Sequence, residues 1–130
     1  MLKIQNLTKV YMPANVKALE EVTFDVPKGQ FLAVIGLSGS GKSTLLRCIN
    51  RLVEPTSGKI FLDGQDVTVA NTEELRRIRR KIGMVFQHFN LVHRSSVLTN
   101  VLAGRLGYTN PAWSLINRFP KADMEKARYQ

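Results

Sequence analysis

Residues Gly36-Leu37-Ser38-Gly39-Ser40-Gly41-Lys42-Ser43 follow the pattern G-x-x-x-x-G-K-[ST], which constrains its flanks as tightly as itself. The pattern needs a strand before it and a helix after it. Gln30-Phe31-Leu32-Ala33-Val34-Ile35 reads as a short buried strand, and Thr44-Leu45-Leu46-Arg47-Cys48-Ile49-Asn50 reads as a helix. Between them the glycines let the backbone curl without Cβ clashes, so successive N–H groups face one concavity. A helix starting near Gly41 adds unpaired amides and the positive end of its dipole. The expected phosphate cradle runs Gly36, Leu37, Ser38, Gly39, Ser40, Gly41, Lys42, Ser43 and Thr44. Lys42 is placed to reach β- and γ-phosphates of a nucleoside triphosphate, and the Ser43 hydroxyl to ligate Mg²⁺. A glycine-rich turn without a ligand is the competing reading, and the flanks argue against it.

A length of 130 residues suits one small domain, and 44% hydrophobic residues supply a core. The longest uninterrupted apolar run, Phe31 to Ile35, is far too short to cross a bilayer. Met1-Leu2-Lys3-Ile4-Gln5-Asn6 lacks the apolar centre of a secretory signal. The single cysteine, Cys48, excludes an internal disulfide and reads as a packed thiol beyond the first turn of its helix. A net charge of +9 raises nucleic-acid binding. Many of these charges, however, fall in Leu75-Arg76-Arg77-Ile78-Arg79-Arg80-Lys81, where Leu75, Ile78 and Ile82 recur at helical spacing. A solvated helix face is favoured there over a reader of phosphate backbones, and no specific nucleic-acid partner is expected.

Leu2 to Leu7 alternates apolar and polar residues, as does Leu19 to Val26, with Val22, Phe24 and Val26 on one side. Pro27-Lys28-Gly29 ends the second run, and the two strands are expected to pair as an antiparallel arm. The helix after the loop should end before Glu54-Pro55, because proline disfavours helix at its predecessor. Ser57 to Gly64 reads as a strand between turn residues. Asn71 with Glu74 has capping-box spacing for the next helix. Lys81 to Gln87 reads as another apolar strand, Ser96 to Arg105 as a helix with an apolar face, and Ala122 to Gln130 as a polar helix.

Tyr11 lies upstream of the loop, and Gln87 closes an apolar segment downstream, within Met84-Val85-Phe86-Gln87-His88-Phe89-Asn90-Leu91. With the loop, these positions resemble the ATP-binding subunits of ABC transporters. From Asn71 to Gly107 the chain looks most like the ATPases of bacterial phosphonate importers. The resemblance implies an α/β fold: a P-loop NTPase with an ABC-type ATP-binding core and an antiparallel β arm. It further implies a β arm over about 1–29, a loop-bearing core over about 30–87, and a Q-loop with the start of a helical subdomain over about 88–130. Tyr11 takes the role of the aromatic residue stacking on adenine, with packing of the arm as its alternative. Gln87 takes the role of the Q-loop glutamine, a Mg²⁺ ligand beside the membrane partner, with an ordinary polar strand end as its alternative. His88 and His93 do not match the family's switch histidine.

No Leu-Ser-Gly-Gly-Gln-like signature occurs in these residues, and no apolar strand ends in an Asp-Glu pair. The resemblance thus covers roughly the first half of the family's domain, truncated before the signature and Walker B segments. It implies an ATP-binding subunit coupling ATP binding and hydrolysis to uptake of phosphonate-like solutes, with this chain a hydrolysis-incompetent fragment. Lys42 and Gln87 contribute to a catalytic site these residues do not complete. ATP and Mg²⁺ are the implied ligands. The implied partners are a second ATP-binding subunit and membrane permease subunits with a solute-binding protein, at the cytoplasmic face of the bacterial inner membrane. A non-catalytic ATP-binding or dimer-interfering module is the alternative from another class. A P-loop kinase or GTPase is disfavoured because no Asn-Lys-x-Asp base reader is present.

Overall fold

The computed structural model describes residues 1–86, 91–108 and 119–129. The chain divides into two compact units, Met1–Ile78 and Arg79–Gln130.

The first unit is organised by a four-stranded sheet. Strands β1 (Leu2–Tyr11) and β2 (Val16–Val26) form the expected antiparallel arm, each longer than its apolar alternation indicates. Ile4 pairs with Phe24 and Tyr11 with Val16. On the other side of β1, β3 (Ser57–Leu62) runs antiparallel, with Ile4 opposite Ile60. The short β4 (Gln65–Asp66) completes the order β2-β1-β3-β4. Asp63 and Gly64 both have positive φ, at 48° and 80°, and turn β3 into β4. An Asp-Gly pair suits such a turn because its twist matches that of the strands.

The arm is not regular. Register shifts interrupt β1 between Ile4 and Leu7, where Asn6 has a φ of 47°. The Thr23 hydroxyl, on β2, accepts from the Asn6 amide at 2.8 Å and donates to the Asn6 side-chain oxygen at 3.0 Å. The bulge forces a glycine on the neighbouring strand. Gly58 has a φ of 91°, and a Cβ there would stand 2.4 Å from the Asn6 carbonyl oxygen and 2.6 Å from the Leu7 Cα.

Helix α1 (Lys42–Ile49) buries Leu45 and Cys48, one turn apart, and meets β2. Ile4, Leu7, Leu19, Ile60 and Val67 are also buried, forming the core of the unit. Arg51 follows α1 and donates to the carbonyls of Val67 at 3.0 Å and Ala70 at 2.7 Å, tying the helix end to the segment after β4. Helix α2 (Thr72–Arg79) starts with the expected capping box. The Asn71 side chain accepts from the amides of Glu73 and Glu74, both at 3.0 Å, and Glu74 accepts from the Asn71 amide at 2.9 Å. Leu75 and Ile78 are buried, and Arg77 and Arg79 are exposed.

Two expected strands are corrected. Neither 30–35 nor 82–86 belongs to a sheet. Phe31 is 95% exposed and Ile35 is 92% exposed. A strand apolar on both faces is stable only between hydrogen-bonding neighbours and under covering layers. Among the described residues, the only sheet lies elsewhere and offers 30–35 no ladder.

In the second unit, α3 (Val97–Ala103) is capped by Ser96, whose hydroxyl accepts from the Thr99 amide at 3.2 Å. Helix α4 (Lys121–Arg128) meets α3. Arg105 donates to Asp123 at 3.1 Å. The Tyr108 ring has the guanidinium of Arg80 at 5.0 Å and that of Arg105 at 4.3 Å.

Candidate functional site

The loop from Gly36 to Gly41 leads directly into α1, and its downstream end is fixed by sterics. Gly41 is the N-cap of α1 with a φ of 87°. A Cβ there would stand 2.2 Å from the Ala18 carbonyl oxygen and 3.2 Å from Leu19 Cδ2, so only glycine lets α1 begin this close to β2. No side chain caps the helix and its first turn holds no acidic residue. The first amides of such a helix have no intrahelical acceptor, and they attract an anion.

Lys42 is folded back over the loop. Its ammonium donates to the carbonyls of Gly36 at 2.8 Å and Leu37 at 2.7 Å, and to the Ser40 hydroxyl at 3.2 Å. Carbonyl oxygens carry only partial charge, so these bonds are exchangeable for stronger ones to an anionic oxygen. Gly39 has a φ of 82° with nothing within 4 Å of an added Cβ, so the loop tip stands open.

A cavity of about 300 Å³ brings Tyr11 together with the loop, lined by Tyr11, Lys17 and residues 39–44. That volume lies at the lower end of the range for small-molecule sites. Tyr11 is placed by the end of β1, and its hydroxyl lies 3.4 Å from the Thr44 hydroxyl on α1. One residue of the wall and one neighbour of the Tyr11 ring are missed from sequence. Lys17 enters the wall because β2 begins opposite Tyr11, with Val16 as the partner of Tyr11. Lys9 holds its ammonium 5.1 Å from the centre of the Tyr11 ring. Their signal lay in the hairpin register, which composition alone does not reveal. A wider groove of about 710 Å³ runs over the bulged part of the sheet past Asn6, Glu21 and Lys59, without any loop residue.

Gln87 and His88 lie outside the described residues. Among the described residues no cluster of three or more His, Cys, Asp or Glu side chains is arranged to hold a metal ion. Burial pushes the Cys48 thiol above its ordinary pKa, against a smaller opposing pull from Lys9. The thiol is thus packed and protonated near neutral pH, not a nucleophile.

The chain matches the ABC transporter family over residues 19–130. It is 58% identical over 127 residues to a phosphonates import ATP-binding protein of Synechococcus sp. (strain JA-2-3B'a(2-13)), covering 98% of this chain and 47% of that protein. It is 50% identical to a phosphonates import ATP-binding protein of Bacillus thuringiensis subsp. konkukian, covering 98% of this chain and 49% of that one. The chain therefore spans about half the length of these curated relatives. A solved dimeric ATP-binding cassette, in a post-hydrolysis state with ADP and Pi, superposes with a TM-score of 0.81 at 34% identity, covering 99% of this chain and 55% of that one. A nucleotide-free cassette from an ABC transporter superposes with a TM-score of 0.74 at 29% identity, covering 97% of this chain and 50% of that one. The glycine-rich loop, the helix behind it and the antiparallel arm thus sit within a shared fold, and the chain belongs to the ABC transporter family.

Proposed function

We propose that the chain is the nucleotide-binding portion of an import ATPase for phosphonate-like solutes, holding ATP in the cavity between Tyr11 and the loop. The observation that carries this reading is the convergence of Tyr11 with residues 39–44 on one cavity of about 300 Å³. An aromatic face at one end and an uncapped helix start at the other suit a base joined to phosphates. Lys42, now on neutral carbonyls, supplies the charge for the β- and γ-phosphates. Gly41 lets α1 start against β2, and Gly36 lets the loop close on Ser40. At Gly36 an added Cβ would lie 2.7 Å from the Ser40 hydroxyl.

Mg²⁺ suits the donors present, because it is commonly held by few protein ligands together with substrate phosphates. The Ser43 hydroxyl is its proposed ligand here, with Gln87 as a second. When bound, the ion neutralises charge on the phosphates. Under this reading residues 1–29 are the β arm, 30–87 the loop-bearing core and 88–130 the Q-loop and start of the helical subdomain.

The relatives are named for phosphonates import, and a solved relative is a dimer. These names support a second ATP-binding subunit and membrane components as partners; the reading adds permease subunits with a solute-binding protein, at the cytoplasmic face of the inner membrane. No helix among the described residues is long and apolar enough to cross a membrane. The phosphonate assignment rests on the names of the relatives.

Titration of the 130-residue chain with Mg·ATP, beside Lys42→Ala, tests the reading. Saturable binding that the variant weakens supports it; no binding, or equal binding by both proteins, refutes it.

A further inference from the structure

Lys9 has no place in the phosphate cradle, yet it touches the residue proposed to hold the base. It precedes Tyr11 by two positions on β1, and its ammonium stands 5.1 Å from the centre of the ring. A cation over an aromatic face is attracted by the ring's negative quadrupole. The hydroxyl of the same ring is placed 3.4 Å from Thr44 Oγ1. Tyr11 is thus held at two points, one on its face and one at its tip, and it still lines the cavity. Lys9 occupies one face of the ring, so a flat ligand stacking on Tyr11 would take the other. The half-buried Lys9 also sits near enough to α1 for its charge to act on Cys48.

We propose that Lys9 is a positioning residue for purine binding, holding Tyr11 as a platform with a single open face. The inference rests on the nucleotide reading above and adds a residue to it. Two effects follow from the geometry. Restricting the ring before the ligand arrives removes part of the ordering cost of binding. A cation on the back of the ring also favours an aromatic partner on the front, completing a stack of cation, ring and base. Lys9 acts through Tyr11 and touches no phosphate in this arrangement.

The test measures binding of Mg·ATP and of inorganic tripolyphosphate to the 130-residue chain, to Lys9→Met, Lys9→Gln and Lys9→Arg, and to Lys9→Met in a Tyr11→Ala background. Thermal melts accompany each protein, and the Gln variant keeps the test open if the Met variant folds poorly. Loss of the cation is expected to weaken Mg·ATP by about two- to fivefold, with Arg restoring most of it. Tripolyphosphate, which has no base, is expected to bind all single variants alike. In the Tyr11→Ala background the effect of Lys9→Met is expected to vanish. Three results overturn the proposal: unchanged Mg·ATP affinity in the folded variants, an equal loss for tripolyphosphate, or a loss that persists without Tyr11. The last two assign Lys9 to the phosphates by simple charge. Failure of the parent chain to bind Mg·ATP, or indifference to Lys42→Ala, instead removes the nucleotide reading itself and this inference with it.

Discussion

The Tyr11 hydroxyl lies 3.4 Å from that of Thr44, so the last residue of β1 touches the first turn of α1. At this distance the contact is near the outer limit of a hydrogen bond and contributes alignment more than energy. It couples the ring at one end of the cavity to the helix that begins at the phosphate loop. Under the proposed nucleotide reading, the spacing between base and phosphates is a property of the sheet and helix together.

The ring should matter more than its hydroxyl. Tyr11→Ala is expected to weaken Mg·ATP and Mg·GTP alike by about 1–3 kcal/mol, the range for stacking on a base. Tyr11→Phe and Tyr11→Trp keep the π face and are expected to bind within a few-fold of the parent. Equilibrium titration of the four proteins reads this directly, and parent-like affinity in Tyr11→Ala would return Tyr11 to a packing role.

Lys42 should dominate among the side chains of the cradle. A hydrogen bond to a charged group is worth about 1.5–3 kcal/mol, so Lys42→Ala is expected to lose tenfold or more in Mg·ATP affinity. Its bonds in the free loop are to exposed carbonyls, so the thermal midpoint should move little. A variant that loses its fold along with its affinity would show instead that Lys42 is structural.

Three glycines separate steric necessity from backbone preference. Gly39, Gly41 and Gly58 all have positive φ, at 82°, 87° and 91°. An alanine at any of them carries a left-handed cost of roughly 1–2 kcal/mol. At Gly39 that is the whole cost, because nothing lies within 4 Å of the new Cβ. At Gly41 and Gly58 the Cβ would meet backbone oxygens at 2.2 and 2.4 Å. Gly41→Ala and Gly58→Ala are expected to lower the urea midpoint clearly further than Gly39→Ala. Equal midpoints would mean that the bulge and the helix start yield more readily than their geometry implies.

The phosphate loop, the capping box at Asn71 and the antiparallel arm were legible because each is written in local spacing. The loop needs glycine and lysine at fixed offsets, Asn71 needs Glu74 one turn on, and the arm needs alternation. Residues 30–35 were legible as apolar but not as unpaired, because pairing depends on neighbours a local window does not contain. Lys9 and Lys17 were not legible either. The place of Lys17 in the cavity wall and of Lys9 over the Tyr11 ring depends on how β1 and β2 register around shifts near Leu7 and Lys9, and no residue pattern announces a bulge.

Cys48 gives the fold a dependence on pH. Burial raises its pKa, so below the unfolded thiol's pKa of about 8.5 both states are neutral and the group favours neither. As pH rises beyond that, the unfolded chain gains a thiolate that the folded chain resists, and stability falls until the folded thiol also ionises. Denaturant midpoints at pH 7 and pH 10 should differ less in Cys48→Ala than in the parent. In native buffer the thiol should resist maleimide and then react on unfolding.

The 130 residues alone should bind ATP without sustained turnover. They hold the loop but no Leu-Ser-Gly-Gly-Gln-like sequence and no Asp-Glu strand to orient water. Removing one transition-state donor already costs about 10²–10³ in rate, although such losses need not add. Phosphate release by the chain beside Lys42→Ala is expected to match background. Steady release that vanishes in the variant would show that a complete active site lies within these residues.

The loop's two flanks are held differently. Downstream, Gly41 abuts Ala18 and α1 packs on the arm; upstream, residues 30–35 belong to no ladder. A ligand that fills such a loop acts as a splint, and part of its interaction energy goes into immobilising the chain it grips. Apparent affinity measured on these residues therefore underestimates the strength of the contacts themselves. Under the nucleotide reading, the same linkage predicts a melting temperature that climbs with ATP concentration. Purification in the presence of ATP should change the yield of folded chain as well as its occupancy.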